Sequence, residues 1–129
     1  MKLCYKEYTY KMSLGAMKQF KQATGKDLWC TLLQFMECYA LSNEDATLVR
    51  IRKLYEVLDF ETAAQLFHAL IRAENKSIPL EEIEDGMFKV GWLPSERVDN
   101  MSEPWPLVLV LLSHEINKQF TADASELKK

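Results

Sequence analysis

Apolar residues recur at helical spacing through most of the chain, with polar residues between them. The first such stripe is Leu14, Met17 and Phe20, and it predicts an amphipathic helix. Ser13 precedes the stripe and can cap the first free backbone N–H groups of that helix. Gly25 follows the stripe and can adopt the left-handed conformation in which many helices end. The pattern therefore predicts a first helix between these two residues.

A second and more apolar helix is predicted directly after Asp27, whose carboxylate suits the positive end of a helix dipole. Its apolar residues cover two faces rather than one stripe: Leu28, Trp29, Leu32, Leu33, Phe35, Met36, Tyr39 and Ala40. A helix that is apolar on two faces needs neighbours on both flanks. We therefore expect this helix to be central in the fold.

Three further helices are predicted between residues 42 and 90. The third begins after a cap at Ser42 or Asn43, and its Arg50 should point mostly outward. Its apolar positions are Leu48, Ile51, Leu54, Tyr55 and Leu58. The fourth spans residues 61–74 and contains alanines that allow close helix approach. The fifth spans residues 79–90 and should place these side chains inside: Leu80, Ile83, Met87 and Phe88.

The beginning of the chain has a different periodicity. Tyr8, Tyr10 and Met12 alternate with polar residues, which predicts a short extended segment or edge strand. Such a strand needs a partner, so it must lie on the helices, pair elsewhere in the chain, or pair with another subunit.

Together these patterns predict a mainly all-α single domain of about five to six helices with a short extended N-terminal segment. We divide it into an extended segment (1–12), a helical core (13–91), a polar connector (92–103), a C-terminal helix (104–120) and a flexible tail (121–129). A chain of 129 residues has the ordinary length of one domain. The sparse glycine and proline content, four of each, argues against an all-β fold.

The charge distribution excludes few function classes, but it argues against nucleic-acid binding. The net charge of −3 gives no general reason for binding nucleic acid. Residues 1–43 contain six lysines and three acids, whereas residues 44–103 contain seven bases and thirteen acids. This asymmetry fits either an ordinary solvated surface or attraction between copies of the chain. The three cysteines lack ligand-like spacing, and no signal peptide or membrane span is predicted, as expected for the cytoplasm.

No pattern of catalytic or metal-binding residues stands out, so we expect a non-enzyme without metal or cofactor. His68 has no carboxylate one helical turn away, and a structural role is expected for it. The acids at the start of the fifth helix oppose a helix-turn-helix protein that would place this helix against DNA phosphates.

Aromatic and aliphatic residues at the two ends of the chain are the predicted partner contacts. The residues after position 104 are apolar all round, so they are either buried or available to a partner. The full candidate set is Tyr8, Tyr10, Trp92, Trp105, Leu107, Leu109 and Leu112.

The order of elements resembles a known family. A helix at residues 14–23 leads into Thr-Gly-Lys-Asp-Leu (24–28) and an apolar helix. A charged helix ending in Leu-Tyr-Glu-Val-Leu (54–58) and a helix with Thr-Ala-Ala (62–64) follow. This resembles the tail assembly chaperones of long-tailed bacteriophages with flexible tails, over residues 8–91. The chain departs from that family at Lys18 and Lys21, where acids are common.

The resemblance implies a non-catalytic chaperone in the cytoplasm of the bacterial host. Such a protein binds the tape measure protein, keeps it soluble and promotes polymerisation of tail tube protein around it. It self-associates and is not expected in the mature virion. The alternatives are a head–tail connector, a small helical DNA-binding regulator, or another accessory interaction protein.

Overall fold

The computed structural model describes residues 2–3, 6–90 and 105–127, with the side chains of the last helix as far as Lys118. The described residues form six helices: α1 (Leu14–Thr24), α2 (Leu28–Leu41), α3 (Thr47–Val57), α4 (Phe60–Arg72), α5 (Leu80–Val90) and α6 (Trp105–Leu127). Two antiparallel strands of two residues precede them, β1 (Lys2–Leu3) and β2 (Lys6–Glu7). The predicted mainly all-α fold is therefore confirmed.

The first two helices begin, and α1 ends, at the residues that the sequence indicates. Ser13 Oγ accepts the N–H of Ala16 at 3.1 Å, and Asp27 Oδ2 accepts that of Cys30 at 2.8 Å. Gly25 has a φ of 75°, and its N–H donates to the carbonyl oxygen of Lys21 at 2.7 Å. A residue with a Cβ is strained in this left-handed conformation, which explains glycine at the end of α1.

The predicted start of the third helix is wrong. Ser42 terminates α2 rather than capping α3, because its hydroxyl donates to the carbonyl oxygen of Cys38 at 2.6 Å. The first residue of α3 is Thr47, and Ala46 at the N-cap position makes no side-chain hydrogen bond. Asp45 binds Lys53 on α3, with 2.7 Å between Oδ2 and Nζ. Asp45 therefore contacts a side chain of α3 rather than capping its backbone.

Arg50 of α3 also differs from its prediction, since it turns toward α2 instead of outward. Its Nη2 donates to the carbonyl oxygen of Tyr39 at 2.8 Å, and its guanidinium lies 3.8 Å from the centre of the Tyr39 ring. The hydrogen bond and the cation–π contact join the end of α2 to the start of α3.

Helix α4 buries more of its side chains than the predicted central helix α2 does. The buried side chains of α4 are Ala63, Ala64, Leu66, Phe67, Ala69, Leu70 and Ile71. Helix α4 packs against α1 and α5, and its alanines permit close approach. Helix α2 packs against α1, α3 and α6 but buries a single stripe of Leu28, Thr31, Leu32 and Phe35. The expected neighbours on more than one flank are thus present, although Leu33 and Leu41 of α2 remain exposed.

The N-terminal segment contains strands, but earlier than predicted. β1 and β2 form a small hairpin in which Lys2 pairs with Glu7 and Leu3 pairs with Lys6. The following residues, up to Ser13, belong to neither a helix nor a strand. The N–H of Lys11 donates to the carbonyl oxygen of Leu70 at 3.0 Å, which attaches this segment to α4. The extended segment is thus paired within the chain and held on the helical core.

The last helix is longer than predicted, because α6 continues to Leu127 instead of ending near residue 120. The start of α6 packs against α2 and β1. The predicted connector at 92–103 lies outside the described residues. Among the residues that the structure describes, no helix combines the length and the apolar character that crossing a membrane would require.

Candidate partner-binding groove

Three of the predicted partner contacts on α6 belong to the core of the chain. Trp105 is 2% exposed, and Leu109 and Leu112 are similarly buried, while Leu107 is half-buried. The composition of the first half of α6 allows it to be either buried or available to a partner, and in the structure it is buried. These three side chains are therefore not available to a partner on the folded chain. This placement corrects their assignment to a contact surface.

The two candidate tyrosines hold the N-terminal segment on the helices. Tyr8 is buried, and its hydroxyl donates to Glu82 Oε2 at 2.7 Å. Tyr10 is half-buried and donates to Glu115 on α6. Burial raises the pKa of Tyr10 to about 12, with a further contribution from the Glu115 carboxylate, so Tyr10 remains protonated. Both hydroxyls thus serve intramolecular bonds, and the remaining candidate, Trp92, lies outside the described residues.

The side chains that do reach the surface form a different apolar set from the predicted one. The exposed large apolar residues are Leu14, Leu33, Leu41, Leu48, Val49, Tyr55, Phe88 and Leu111. Phe88 is 81% exposed, more than any other large apolar side chain in the described part of the chain. The prediction that Phe88 points inside is therefore wrong. The adjacent Met87 is buried, as predicted, and the two differ because consecutive helical residues face different directions.

Phe88 lies beside a groove where four helices meet. The groove has a volume of about 590 Å³ and is lined by Tyr55, Asp59, Phe60, Glu61, Met87, Phe88 and Trp105. These residues come from the end of α3, the start of α4, the end of α5 and the start of α6. We call this site the aromatic groove. Its assembly from four separate elements explains why no local sequence motif indicates it.

The aromatic rings of the groove contact one another at defined angles. The Trp105 and Phe60 ring centres are 6.3 Å apart with planes at 81°, an edge-to-face arrangement. The Trp105 and Tyr55 ring centres are 6.4 Å apart with planes at 54°. Such contacts fix ring positions and stabilise the pair beyond simple burial. Trp105 therefore supports the groove from within, whereas Phe88 stands exposed at its edge.

The groove carries negative charge, because its lining includes two carboxylates and no lysine or arginine. Asp59 is the N-cap of α4, and its Oδ1 accepts the N–H of Thr62 at 2.8 Å. Hydrogen bonds from Thr62 lower the pKa of Asp59, and the positive charge of Lys26 adds to this effect. Asp59 is therefore ionised at neutral pH. The groove combines an apolar aromatic surface with an anionic edge.

A second groove, between α2 and α3, has a similar volume of about 620 Å³ but a different character. Its lining includes two lysines, two glutamates and the half-buried Cys38. Burial raises the pKa of the Cys38 thiol, which lowers its thiolate fraction and its reactivity. The balanced charges and the absence of aromatic residues make this groove a weaker candidate for binding an apolar partner.

His68 has the structural role that its sequence context predicts. Its Nε2 is 2.9 Å from the carbonyl oxygen of Ile78, and its Nδ1 is 3.2 Å from Gln19 Nε2. A carbonyl oxygen only accepts, so Nε2–H donates to it and Nδ1 accepts from Gln19. Both ring nitrogens are thus engaged within the fold. In the described ranges, His, Cys, Asp and Glu side chains form no group of three that could hold a metal ion.

Comparisons with protein-family models, curated proteins and solved structures find no match to this chain.

Proposed function

We propose that this chain is a non-catalytic phage tail assembly chaperone that binds apolar helical stretches of a tape measure protein in the aromatic groove. The observation that carries the proposal is the groove itself, with Phe88 exposed at its edge and aromatic rings along its wall. The resemblance of residues 8–91 to tail assembly chaperones supplies the identity of the client. The proposal includes keeping that client soluble and promoting polymerisation of tail tube protein around it.

The physical properties of the groove suit such a client. An amphipathic helix binds by placing its apolar face in a groove, and aromatic side chains supply much of the energy of such contacts. Binding must also be reversible, because an assembly chaperone leaves when the client is packaged. A single groove of this size offers one or two anchor positions, which favours modest affinity at each site.

The proposed chaperone acts as a homo-oligomer in the cytoplasm of the bacterial host. Linking several weak sites raises the overall affinity for a long client without requiring any new contact. Exposed apolar side chains away from the groove, such as Leu33 and Leu48, supply surfaces for this self-association. The mature virion is expected to lack the protein.

The test is co-expression with the large helix-rich protein encoded immediately downstream of this chain. The proposal requires that protein to be insoluble alone, and soluble and co-purifying when this chain is present. Phe88→Ala should reduce the co-purified amount, whereas Leu41→Ala, which removes an equally exposed apolar side chain outside the groove, should not. Unchanged solubility with no co-purification would contradict the chaperone function.

The alternative functions predict different experimental results. A head–tail connector would form rings that remain in purified particles. A DNA-binding regulator would bind DNA with an affinity that falls steeply as salt increases. Glu82 on α5 already binds Tyr8 and Lys6, and its neighbours Glu81 and Asp85 are exposed acids. This helix is therefore poorly suited to contact phosphates.

A further inference from the structure

The structure points to a specific recognition rule for the aromatic groove, one that rests on the proposed function. We infer that the groove selects client helices that carry a lysine or arginine about one helical turn from a large apolar side chain. The apolar side chain contacts the aromatic wall, and the cation contacts the acidic edge.

The apolar half of the rule follows from the arrangement of the rings. Phe88 projects into solvent, while Phe60 is half-buried and the Trp105 ring lies beneath with its edge-to-face contact to Phe60. A large apolar side chain inserted between Phe88 and Phe60 would be covered by rings on both sides. Burial against preformed rings costs little ordering of the groove, because Trp105 already holds Phe60 in place.

The cationic half of the rule follows from the charges around those rings. Asp59 and Glu61 line the groove on α4, and no basic residue lines it. On α5, Glu84 and Asp85 precede Phe88 by four and three residues, so they lie on the same side of that helix. Two carboxylates thus line the groove, and two more lie on the Phe88 side of α5. A cation placed there gains attraction from the carboxylates and from the ring face, whereas an acidic partner is repelled.

A second copy of this chain offers a competing occupant with similar chemistry. On α1, the exposed Leu14 and Lys18 are four residues apart, so they face the same side of the helix. We assign the groove to the client rather than to this helix. Self-docking would fill the groove in the absence of any client, so the experiment described next would detect it as a failure of the peptides to bind.

The experiment measures binding of fluorescently labelled helical peptides to the purified full-length chain by anisotropy. One peptide of about 15 residues has a lysine four residues from each leucine, so that both lie on the same side of the helix; its counterpart has glutamate in place of each lysine. The leucine–lysine peptide should bind at least about tenfold more tightly at low salt. Its advantage should shrink in about 0.5 M NaCl, where charges are screened. Equal binding of both peptides at low salt would overturn the rule.

Variants connect the binding to the groove. Phe88→Ala should weaken binding of the leucine–lysine peptide about tenfold, because an aromatic anchor is lost. Glu61→Gln should weaken it about threefold at low salt and have little effect at high salt, as expected for a charge at the edge of an interface. Leu41→Ala is the matched control and should bind normally. Glu61 and Phe88 are both exposed, so circular dichroism should show that their variants fold normally.

A charge reversal provides a second, independent test. Glu61→Lys should reduce binding of the leucine–lysine peptide and improve binding of the leucine–glutamate peptide. If Glu61→Lys leaves both affinities unchanged, the charge of the peptide does not affect its binding in the groove, and the rule is wrong. If no peptide binds and the wild-type chain self-associates through Phe88 and Leu14, the groove is an interface between copies and the inference is wrong.

The outcomes for the inference and for the proposed function are separable, because the peptide assay uses no phage protein. Client solubilisation with equal binding of the two peptides would leave the chaperone function standing and refute the recognition rule. Selective, Phe88-dependent binding of the leucine–lysine peptide without client solubilisation would support the rule and refute the tape measure assignment.

Discussion

The burial of α6 predicts a large difference between two leucines that are two residues apart. Leu109 is 0% exposed, whereas Leu111 is 62% exposed on the same helix. Leu109→Ala should destabilise the protein strongly, and Leu111→Ala should have little effect. The two substitutions are chemically identical and affect helix propensity equally, so each is the control for the other.

The magnitude follows from the buried volume that is lost. Leucine to alanine removes three carbon atoms, which at about 0.8 kcal/mol per buried methylene gives roughly 2.4 kcal/mol. The remaining cavity adds to this cost, so Leu109→Ala should lower the free energy of unfolding by about 3 kcal/mol. Leu111→Ala should change it by less than about 0.5 kcal/mol, as is usual for exposed positions. For a domain of this length, 3 kcal/mol corresponds to a fall in Tm of roughly 10 °C.

Urea unfolding followed by circular dichroism and by tryptophan fluorescence measures both variants. Coincident transitions by the two probes would justify two-state analysis. The Leu109→Ala midpoint should move to lower urea concentration without a change in slope, because the exposed area on unfolding is nearly the same. If the two variants differ by less than about 0.5 kcal/mol, the first half of α6 is not packed in the core. The contact role that the sequence suggested for Leu109 would then regain support.

Three further predictions concern local structure. Asp59→Ala should cost about 1 kcal/mol through loss of the α4 cap, whereas Asp59→Asn should cost less. Because the folded-state pKa of Asp59 is lowered, its contribution to the free energy of unfolding is present above the ordinary pKa of 3.8. This contribution is lost as pH falls through the lower folded value, which acid titration of wild type and variant checks. Gly25→Ala should cost about 1 kcal/mol in thermal unfolding, since φ is 75° there. The pKa of Tyr10 is raised from 10.0 to about 12, so stability should decline as pH rises through this interval, where the unfolded state ionises first. Tyr10→Phe should lack that decline, and an identical alkaline profile would refute the Tyr10–Glu115 bond.

The ends of the first helices were determined by short stretches of sequence. Ser13, Gly25 and Asp27 act on backbone groups within four residues, so their roles could be predicted without knowledge of the fold. The same holds for helix type and number, because the 3.6-residue period of apolar positions is itself a local property. The structural role of His68 was also predictable in part, since no carboxylate lies one helical turn away from it.

The choice between core and surface was decided only by the tertiary structure. The chain has more apolar helix surface than its core can cover, and periodicity alone does not say which part remains outside. Helix α6 filled the core with Trp105 and Leu109, while Phe88 on the amphipathic helix α5 was left exposed. Ser42 could cap either neighbouring helix, and the geometry of the turn assigned it to α2.

The aromatic groove depends on the tertiary structure for a related reason. Its walls come from α3, α4, α5 and α6, so its lining residues extend from Tyr55 to Trp105 along the chain. Each contributing residue is ordinary in its local context, and only packing brings the rings and the carboxylates together. The sequence by itself therefore determined which helices form and where several of them end. The arrangement of those helices determined which side chains are available for recognition, because availability depends on which neighbours cover each face.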